Sequence, residues 1–297
     1  MKQPQPAAVR PKREKSMSAE SPSAPFPKIL VCTDGSPDSE GAITAALNLA
    51  KTTGSTLYLL EVLFYLAGYE LQAPDTLAPP MVNLELMQAQ EAAAKERLEA
   101  RQAKAVGEGV VLRPRVRTGS SAYEGILEEA GELKPDLIIM GRHGYTGLTR
   151  LLMGSVTARV IGHSPCNVLV APREVPLSFK RLLVASDGSP FSEAAWTEAL
   201  SLVKTMGSDL IGVSVATSDR DIPAATKVVR DLEESASQQG IPLDTMIPLG
   251  RPEEGIVKAA DFKGASLIIV GSHGRTGLKR LLIGSVAERV IGEAKCP

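Results

Sequence analysis

The sequence has little of what marks several specialised classes of protein. Only three of its 297 residues are cysteines, they lie far apart at positions 32, 166 and 296, and none belongs to a C-x-x-C pair. The sequence therefore indicates no disulfide framework, zinc site or dithiol redox site. No apolar run reaches the roughly 18 residues that a membrane-spanning helix needs, and residues 1–27 lack the apolar segment of a secretion signal. We expect a cytoplasmic protein.

A surplus of basic charge is also missing. Lysine and arginine total 33 against 34 aspartates and glutamates, so the net charge is −1. Proteins that bind nucleic acids through electrostatic attraction usually carry a clear basic surplus. We therefore expect neither a nucleic-acid partner nor a membrane partner. At about 150 residues per domain, the length predicts two domains.

The chain contains the same unit twice. The segment KILVCTDGSPDS at 28–39 recurs as RLLVASDGSPFS at 181–192. Residues 140–166 match residues 270–296 at 17 of 27 positions. Self-similarity over segments this long indicates a duplicated structural unit rather than one large domain.

These repeats set the predicted domain boundaries. We predict one domain at 28–172 and a second at 180–297. The linker between them is placed at 173–179, where proline interrupts regular structure. Residues 1–27 are rich in Pro, Ser, Lys and Arg and are predicted to form a disordered tail.

Each repeat alternates short apolar runs with helix-like stretches, which is typical of βαβ units. In repeat one we predict five strands and one long helix: Ile29–Thr33, Leu57–Leu63, Val110–Val116, Leu137–Met140 and Val168–Val170, with the helix at Asn83–Ala105. Strands that are apolar throughout favour a parallel sheet covered by helices on both faces. We predict two tandem doubly wound, Rossmann-like α/β domains. Repeat two ends before the counterpart of NVLVAP, so we expect its last strand to be missing.

A pattern of glycines follows the fourth predicted strand of each repeat. It reads G-x-x-G, nine residues, then G-S, and comprises Gly141, Gly144, Gly154 and Ser155 in repeat one and Gly271, Gly274, Gly284 and Ser285 in repeat two. In open parallel sheets, ligands bind beyond the carboxyl ends of the strands, where Asp34 and Asp187 also lie.

The pattern predicts a phosphate cradle made mainly of backbone. The second G-S opens a helix, whose first N–H groups and partial positive charge favour an anion. Ser155 and Ser285 are candidates for the helix N-cap or for hydroxyl donors. Glycine at 141 and 144 permits close approach of the backbone and positive φ angles. Arg150, Lys279 and Arg280 lie within the loops and either contact polyphosphate or face solvent. A P-loop and a dinucleotide fingerprint are both absent from the sequence.

These residues resemble the ATP-binding branch of the universal stress protein family, here in tandem over nearly all of residues 28–297. The resemblance implies a five-stranded parallel sheet, ATP as ligand and pairing of domains or of two chains. It assigns phosphate contacts to the loop positions of both repeats: Gly141, Gly144, Gly154, Ser155, Val156, Gly271, Gly274, Gly284, Ser285 and Val286. It assigns adenine contacts to Asp34 and Val62 in repeat one and to Asp187 and Val215 in repeat two.

Several alternatives stay open at this point. The leading hypothesis is a nucleotide-responsive binding module, and the rivals are a nucleotide-free scaffold and a slow ATPase. No catalytic residue is predicted, although His143 and His273 lie in the loops. Asp34 and Asp187 either ligate Mg²⁺ beside the phosphates or shape the turn into the next helix. Cys32 is read as a small buried residue rather than a redox sensor, because repeat two has alanine there.

Overall fold

A computed structural model of the chain describes residues 24–64, 84–144, 153–274 and 283–297. The first domain contains five strands and four helices in these ranges: β1 (Lys28–Thr33), α1 (Pro37–Thr53), β2 (Thr56–Phe64), α2 (Leu84–Gly107), β3 (Leu112–Gly119), α3 (Ala122–Leu133), β4 (Leu137–Gly141), α4 (Ser155–His163) and β5 (Asn167–Ala171). The strands and the long helix occur where the sequence predicts them. The main difference is β3, which begins two residues later than predicted.

The second domain repeats this order of elements with four strands and four helices in the described ranges. Its elements are β6 (Arg181–Ala185), α5 (Pro190–Met206), β7 (Asp209–Val213), α6 (Ile222–Gln238), β8 (Leu243–Met246), α7 (Pro252–Lys263), β9 (Leu267–Val270) and α8 (Ser285–Glu293). A short 3-10 turn at Asp219–Asp221 precedes α6.

Both sheets are parallel, and their strand orders correspond. The order is β3-β2-β1-β4-β5 in the first domain and β8-β7-β6-β9 in the second. All the strand pairs are parallel. The prediction of two doubly wound α/β domains is therefore confirmed. The second sheet has four strands in the described part of the chain, as expected from the missing last strand of repeat two. The order reverses between β1 and β4 and between β6 and β9, which is where ligands bind in such sheets.

The sequence DGSP starts the first helix of each domain. Ser36 is the N-cap of α1 and accepts a hydrogen bond from the backbone N–H of Ser39 at 3.3 Å, and Pro37 follows in the first turn. Gly35 has φ of 78°, which a glycine adopts without steric penalty. Ser189 and Pro190 repeat this arrangement before α5. The motif therefore encodes a tight turn and a helix start directly at the carboxyl end of the first strand.

The central strands are buried on both faces, as their sequence predicts. Ile29 and Leu30 on β1 are both 0% exposed and pack into different clusters, one on each face of the sheet. Helix α1 covers one face, and helices α3 and α4 cover the other. Each central strand is thus held rigidly, so the residues at its carboxyl end have fixed positions.

The packed part of the chain begins earlier than the predicted end of the tail. Phe26 is only 5% exposed and belongs to the hydrophobic core, and the carbonyl of Pro27 accepts a hydrogen bond from Thr56 N. The prediction that residues up to 27 are disordered is therefore wrong for these two, because an aromatic ring here completes the core.

The two domains contact each other. Met153, Ile283 and Ala287 form a small apolar cluster that joins the start of α4 to that of α8. The helices that follow the two glycine loops are therefore packed together. Within the described ranges, none of the helices combines the length and the apolar character that crossing a bilayer requires.

Helix α2 should be held mainly by the burial of one stripe. Leu98 on this helix is 1% exposed, whereas Leu84 is 62% exposed. We expect Leu98→Ala to reduce the free energy of unfolding by about 2–5 kcal/mol, because it leaves a cavity in the core. Leu84→Ala is the matched control and should change it by less than about 0.5 kcal/mol. Urea denaturation measures both. Equal effects of the two substitutions would contradict the packing described here.

An ion pair between α7 and α8 should make stability depend on pH. Glu253 is buried and Arg289 donates to it. Hydrogen bonding to its own backbone N–H and to Arg289 lowers the pKa of Glu253. A carboxylate whose pKa is lower in the folded state than in the unfolded state stabilises the fold at pH values above its unfolded-state pKa. This stabilisation is lost as the pH falls through its folded-state pKa.

We therefore expect Glu253→Gln to be less stable than the unchanged chain at pH 7. The difference should shrink as the pH falls below about 4, where an ordinary glutamate becomes protonated. Thermal unfolding over this pH range measures the effect. A difference that stays constant with pH would show that the carboxylate contributes no charge-dependent stability.

Candidate functional site

The first-strand aspartates form the turn at the switch point of each sheet. Asp34 Oδ1 accepts a hydrogen bond from the backbone N–H of Ser36 at 2.9 Å. Asp187 Oδ1 accepts the equivalent bond from Ser189 at 3.0 Å. The turn-shaping role considered from the sequence is thus present in both domains. Each carboxylate also has a second oxygen, Oδ2, that can accept hydrogen bonds.

That second oxygen faces the glycine loop. A Cβ atom placed on Gly144 would lie 2.7 Å from Asp34 Oδ2. A Cβ atom on Gly274 would lie 3.0 Å from Asp187 Oδ2. In both domains the structure therefore brings together the aspartate after the first strand and the second glycine of G-x-x-G. These residues are more than a hundred positions apart in the first domain and about ninety apart in the second.

The first loop glycine lies directly on the first turn of the neighbouring helix. A Cβ atom on Gly141 would lie 2.7 Å from the backbone carbon of Asp38, and one on Gly271 would lie 2.8 Å from that of Phe191. Such distances are too short for any side chain at these positions. The backbone at Gly141 and Gly271 is therefore in contact with the helix backbone, and this contact fixes the described start of each loop at the carboxyl end of the fourth strand.

The expectation of positive φ in these loops is wrong. Gly141 and Gly144, like Gly271 and Gly274, do not have φ in the left-handed region. The left-handed glycine of this site is Gly35, whose counterpart Gly188 has φ of 74°. The loop requires glycine because a Cβ would collide with the aspartate or with the helix, so the requirement is steric rather than conformational.

The helix that follows each loop has glycine rather than serine as its N-cap. Gly154 is the N-cap of α4 and Gly284 that of α8, both with extended backbone and no side-chain capping bond. Each donates its N–H to the residue after the first loop glycine, Arg142 O at 2.9 Å and Ser272 O at 2.8 Å. The expectation that Ser155 or Ser285 is the N-cap is therefore wrong.

Both serines are the first residues of their helices and are exposed to solvent. The N–H groups of a first helical turn have no partner within the helix, and the N-cap glycine offers no side chain to satisfy them. Together with the helix dipole, these donors favour an anion at the N-terminus of α4 and of α8. The side chains of Val156 and Val286 pack against the cores of their own domains.

The valines assigned to adenine are held by a feature that the sequence reasoning missed. Val62 lies near the end of β2, and a Cβ atom on Gly125 of α3 would be 2.6 Å from Val62 Cγ1. Val215 has the same relation to Gly255 of α7, at 3.0 Å, although it lies beyond the end of β7. The signal was present as the matching tripeptide E-G-I inside the corresponding helix of both repeats.

The environments of the two loop histidines differ. His143 Nδ1 is 3.9 Å from Asp38 Oδ1, too far for a hydrogen bond. The ring of His273 lies 5.0 Å from that of Phe191, and its Nδ1 is 3.1 Å from Ser272 Oγ. Asp38 is thus a carboxylate near His143 that spacing alone did not reveal. It has no counterpart in the second domain, where Phe191 occupies its position.

Other sequence predictions have mixed outcomes. Cys32 is buried, and burial raises the pKa of its thiol, so the reading of a small core residue is confirmed. Among the described residues, no group of three or more His, Cys, Asp or Glu is placed to hold a metal ion. Arg150, Lys279 and Arg280 fall outside the described residues.

Comparison with known proteins agrees with the duplicated architecture. The sequence profile of the universal stress protein family matches residues 25–172 and, a second time, residues 178–297. A universal stress protein of Mycolicibacterium smegmatis is 27% identical over 290 residues, covering 91% of this chain and 95% of that protein. One of Methanocaldococcus jannaschii is 30% identical over 135 residues, covering 40% of this chain and 79% of its own length.

The fold of a solved structure also matches across both domains. The crystal structure of a universal stress protein from Archaeoglobus fulgidus superposes with a TM-score of 0.73 at 24% identity, covering 91% of this chain and 96% of that one. The two profile matches account for most of the sequence. The chain therefore belongs to the universal stress protein family and carries two domains of that family in tandem.

Proposed function

We propose that the chain binds ATP at both glycine loops and acts as a nucleotide-responsive binding module. The observation that carries this proposal is the arrangement of three elements at each switch point. An aspartate follows the first strand, a glycine loop reaches it from the fourth, and a helix begins without a side-chain cap. The same arrangement in two domains of different sequence favours a shared ligand.

The phosphate end of the ligand would lie at the helix N-terminus. Backbone N–H groups of Ser155 and Val156 are the donors there, with Ser285 and Val286 in the second domain. Gly154 and Gly284, whose own N–H groups are bonded within the loop, line the site without a side chain. Several donors pointing at one place suit a polyphosphate, whose charge is spread over many oxygens. Gly144 and Gly274 have no side chain that would block the approach of phosphate to the loop.

The base would lie toward the end of the second strand. Asp34 is exposed at this edge, and a carboxylate oxygen accepts hydrogen bonds from an amino group such as that of adenine. Val62 is half-buried and offers an apolar surface beside it. Asp187 and Val215 have these roles in the second domain. These assignments follow the family resemblance.

Binding rather than catalysis is proposed because no catalytic set is assembled by the residues that the structure describes. His143 is not hydrogen-bonded to Asp38, and His273 lies beside an aromatic ring rather than a carboxylate. A bound Mg²⁺ would contact the phosphates and, at most, the carboxylate of Asp34 or Asp187. The cysteine usage of the sequence suits a reducing compartment, which supports the cytoplasm as the site of action.

Mass spectrometry of the gently purified chain tests the proposal directly. We expect ATP to co-purify, and isothermal titration to show two binding sites per chain. Turnover of labelled ATP should be negligible over the time of the titration. If no nucleotide co-purifies and added nucleotide does not bind, the result would support a scaffold without nucleotide instead. Steady turnover of ATP would identify an ATPase.

Substitution of the second loop glycine should abolish one site at a time. In Gly144→Val and Gly274→Val, the new side chain would collide with Asp34 or Asp187 and displace the loop. Each lost charge-assisted contact is worth about 1.5–3 kcal/mol, or about tenfold or more in affinity. A displaced loop loses several such contacts, so we expect binding at that site to fall below detection. Titration should then detect one site in each variant and none in the double variant.

Gly131→Val is the matched control for these variants. Gly131 is exposed on α3, and a Cβ atom there would meet nothing within 4 Å. It should bind two equivalents of ATP like the unchanged chain. Two intact sites in Gly144→Val would contradict the proposed cradle.

Removal of the loop hydroxyl should have a smaller effect. Ser155→Ala leaves the backbone N–H groups of the first turn of α4 in place. We expect affinity at the first site to fall by less than about tenfold, the equivalent of one neutral hydrogen bond. Titration of Ser155→Ala in the Gly274→Val chain isolates this site. Complete loss of binding would show that the hydroxyl, rather than the backbone, carries the interaction.

A further inference from the structure

Arg142 connects the glycine loop of the first domain to a helix of the second. It directly follows Gly141, and its guanidinium donates to two carbonyls at the end of α8, to Gly292 O at 3.0 Å and to Ala294 O at 2.6 Å. A forked donor pair to two acceptors fixes direction as well as distance. The contact therefore ties the position of the loop to the position of α8.

The same residue also holds its own loop. The carbonyl of Arg142 accepts the N–H of Gly154, the N-cap of α4. Its backbone thus sets the start of the first cradle, while its side chain holds the last turn of α8. Helix α8 begins at Gly284 and Ser285, which form the second cradle. Arg142 therefore links the first cradle to the C-terminal end of the helix whose N-terminal end forms the second cradle.

Electrostatics favour this contact. The carboxyl end of a helix carries partial negative charge, which attracts a cation. Burial lowers the pKa of Arg142, but a guanidinium ordinarily titrates so far above neutrality that it stays charged. Its Nε is buried and has no hydrogen-bond partner among the described residues. Such a buried donor is destabilising where it stands, and polyphosphate in the adjacent loop would add negative charge nearby.

At the matching position, the second domain lacks the arginine that makes this connection. Ser272 occupies the matching position, and its hydroxyl lies beside the ring of His273 within the same loop. The apolar cluster of Met153, Ile283 and Ala287 also joins α4 and α8, but by packing rather than by hydrogen bonds. In the described part of the first loop, Arg142 thus provides a polar connection to the end of α8.

We propose that Arg142 is a positioning residue for the second nucleotide site, so that nucleotide bound by the first domain stabilises α8 of the second. This inference rests on the proposed nucleotide binding. Nucleotide in the first cradle orders the segment 141–144 and with it the guanidinium, which then holds the end of α8. Because nucleotide at the first site has then already ordered α8, the second cradle binds its ligand more tightly than it does when the first site is empty.

Hydrogen exchange in the full-length Gly274→Val chain tests the proposal. Only the first site can bind in this variant, and exchange is read at residues 285–293 in the other domain. We expect saturating ATP to slow exchange in α8 by about fivefold or more, at the lower end of measured couplings between sites. Adding Arg142→Ser, which installs the residue found in repeat two, should remove this effect while ATP still binds.

Two further variants separate positioning from general stability. Arg142→Lys keeps the charge but cannot bridge both carbonyls, so it should restore only part of the protection. Arg159→Ser is the matched control, because Arg159 lies on α4 with its guanidinium 4.9 Å from the ring of Tyr123. It should leave the response of α8 to ATP unchanged. Thermal unfolding of every variant shows whether it is folded.

The outcomes are distinguishable because ATP binding is titrated on the same samples. Binding with equal protection of α8 in the Arg142→Ser and unchanged backgrounds would overturn the role of Arg142. Binding without any response in α8 would overturn the coupling. No binding to the Gly274→Val chain would overturn the proposed function at the first site, and this inference with it.

Discussion

The structure of both sites depends on one steric constraint, the contact of the loop backbone with the first helix of each domain. Gly141 lies so close to the backbone of Asp38 that no side chain fits between them, and Gly271 has the same relation to Phe191. This contact holds the loop above the switch point of the sheet. From there the second loop glycine reaches the first-strand aspartate, and the following helix begins at the correct place to present its free N–H groups.

The constraint explains why the two sites share a backbone and differ in their side chains. Positions where backbone meets backbone tolerate only glycine, so both repeats keep the same glycine spacing. Asp38 and Phe191 contribute their backbone and Cβ atoms to that contact, and only the outer parts of their side chains differ. The side chains of Arg142 and Ser272 differ as well. The divergence gives the first loop a carboxylate and a guanidinium, while the second has an aromatic ring and a hydroxyl. Two equivalent cradles thus acquire different surroundings.

Sequence reasoning was reliable where the signal is local or periodic. The buried strands, the DGSP turn and the helix after the second G-S were predicted because each is encoded by adjacent residues. It was wrong about the φ angles of Gly141 and Gly144 and about Ser155 as N-cap. In both cases glycine has more than one physical use, and only the neighbouring elements decide between them. Phe26 was assigned to the tail because a single aromatic residue in a polar segment carries no periodicity.

The sequence by itself determined that the chain holds two parallel α/β domains and which residues lie at the ends of their strands. Repetition and hydrophobic pattern are properties of the chain alone, and they carry that information. Only the tertiary structure decided that Asp34 meets Gly144, that Gly125 supports Val62 and that Arg142 reaches the end of α8. These contacts join residues far apart in the chain, and their distances depend on how helices pack on the sheet and on each other, which no spacing in the sequence expresses.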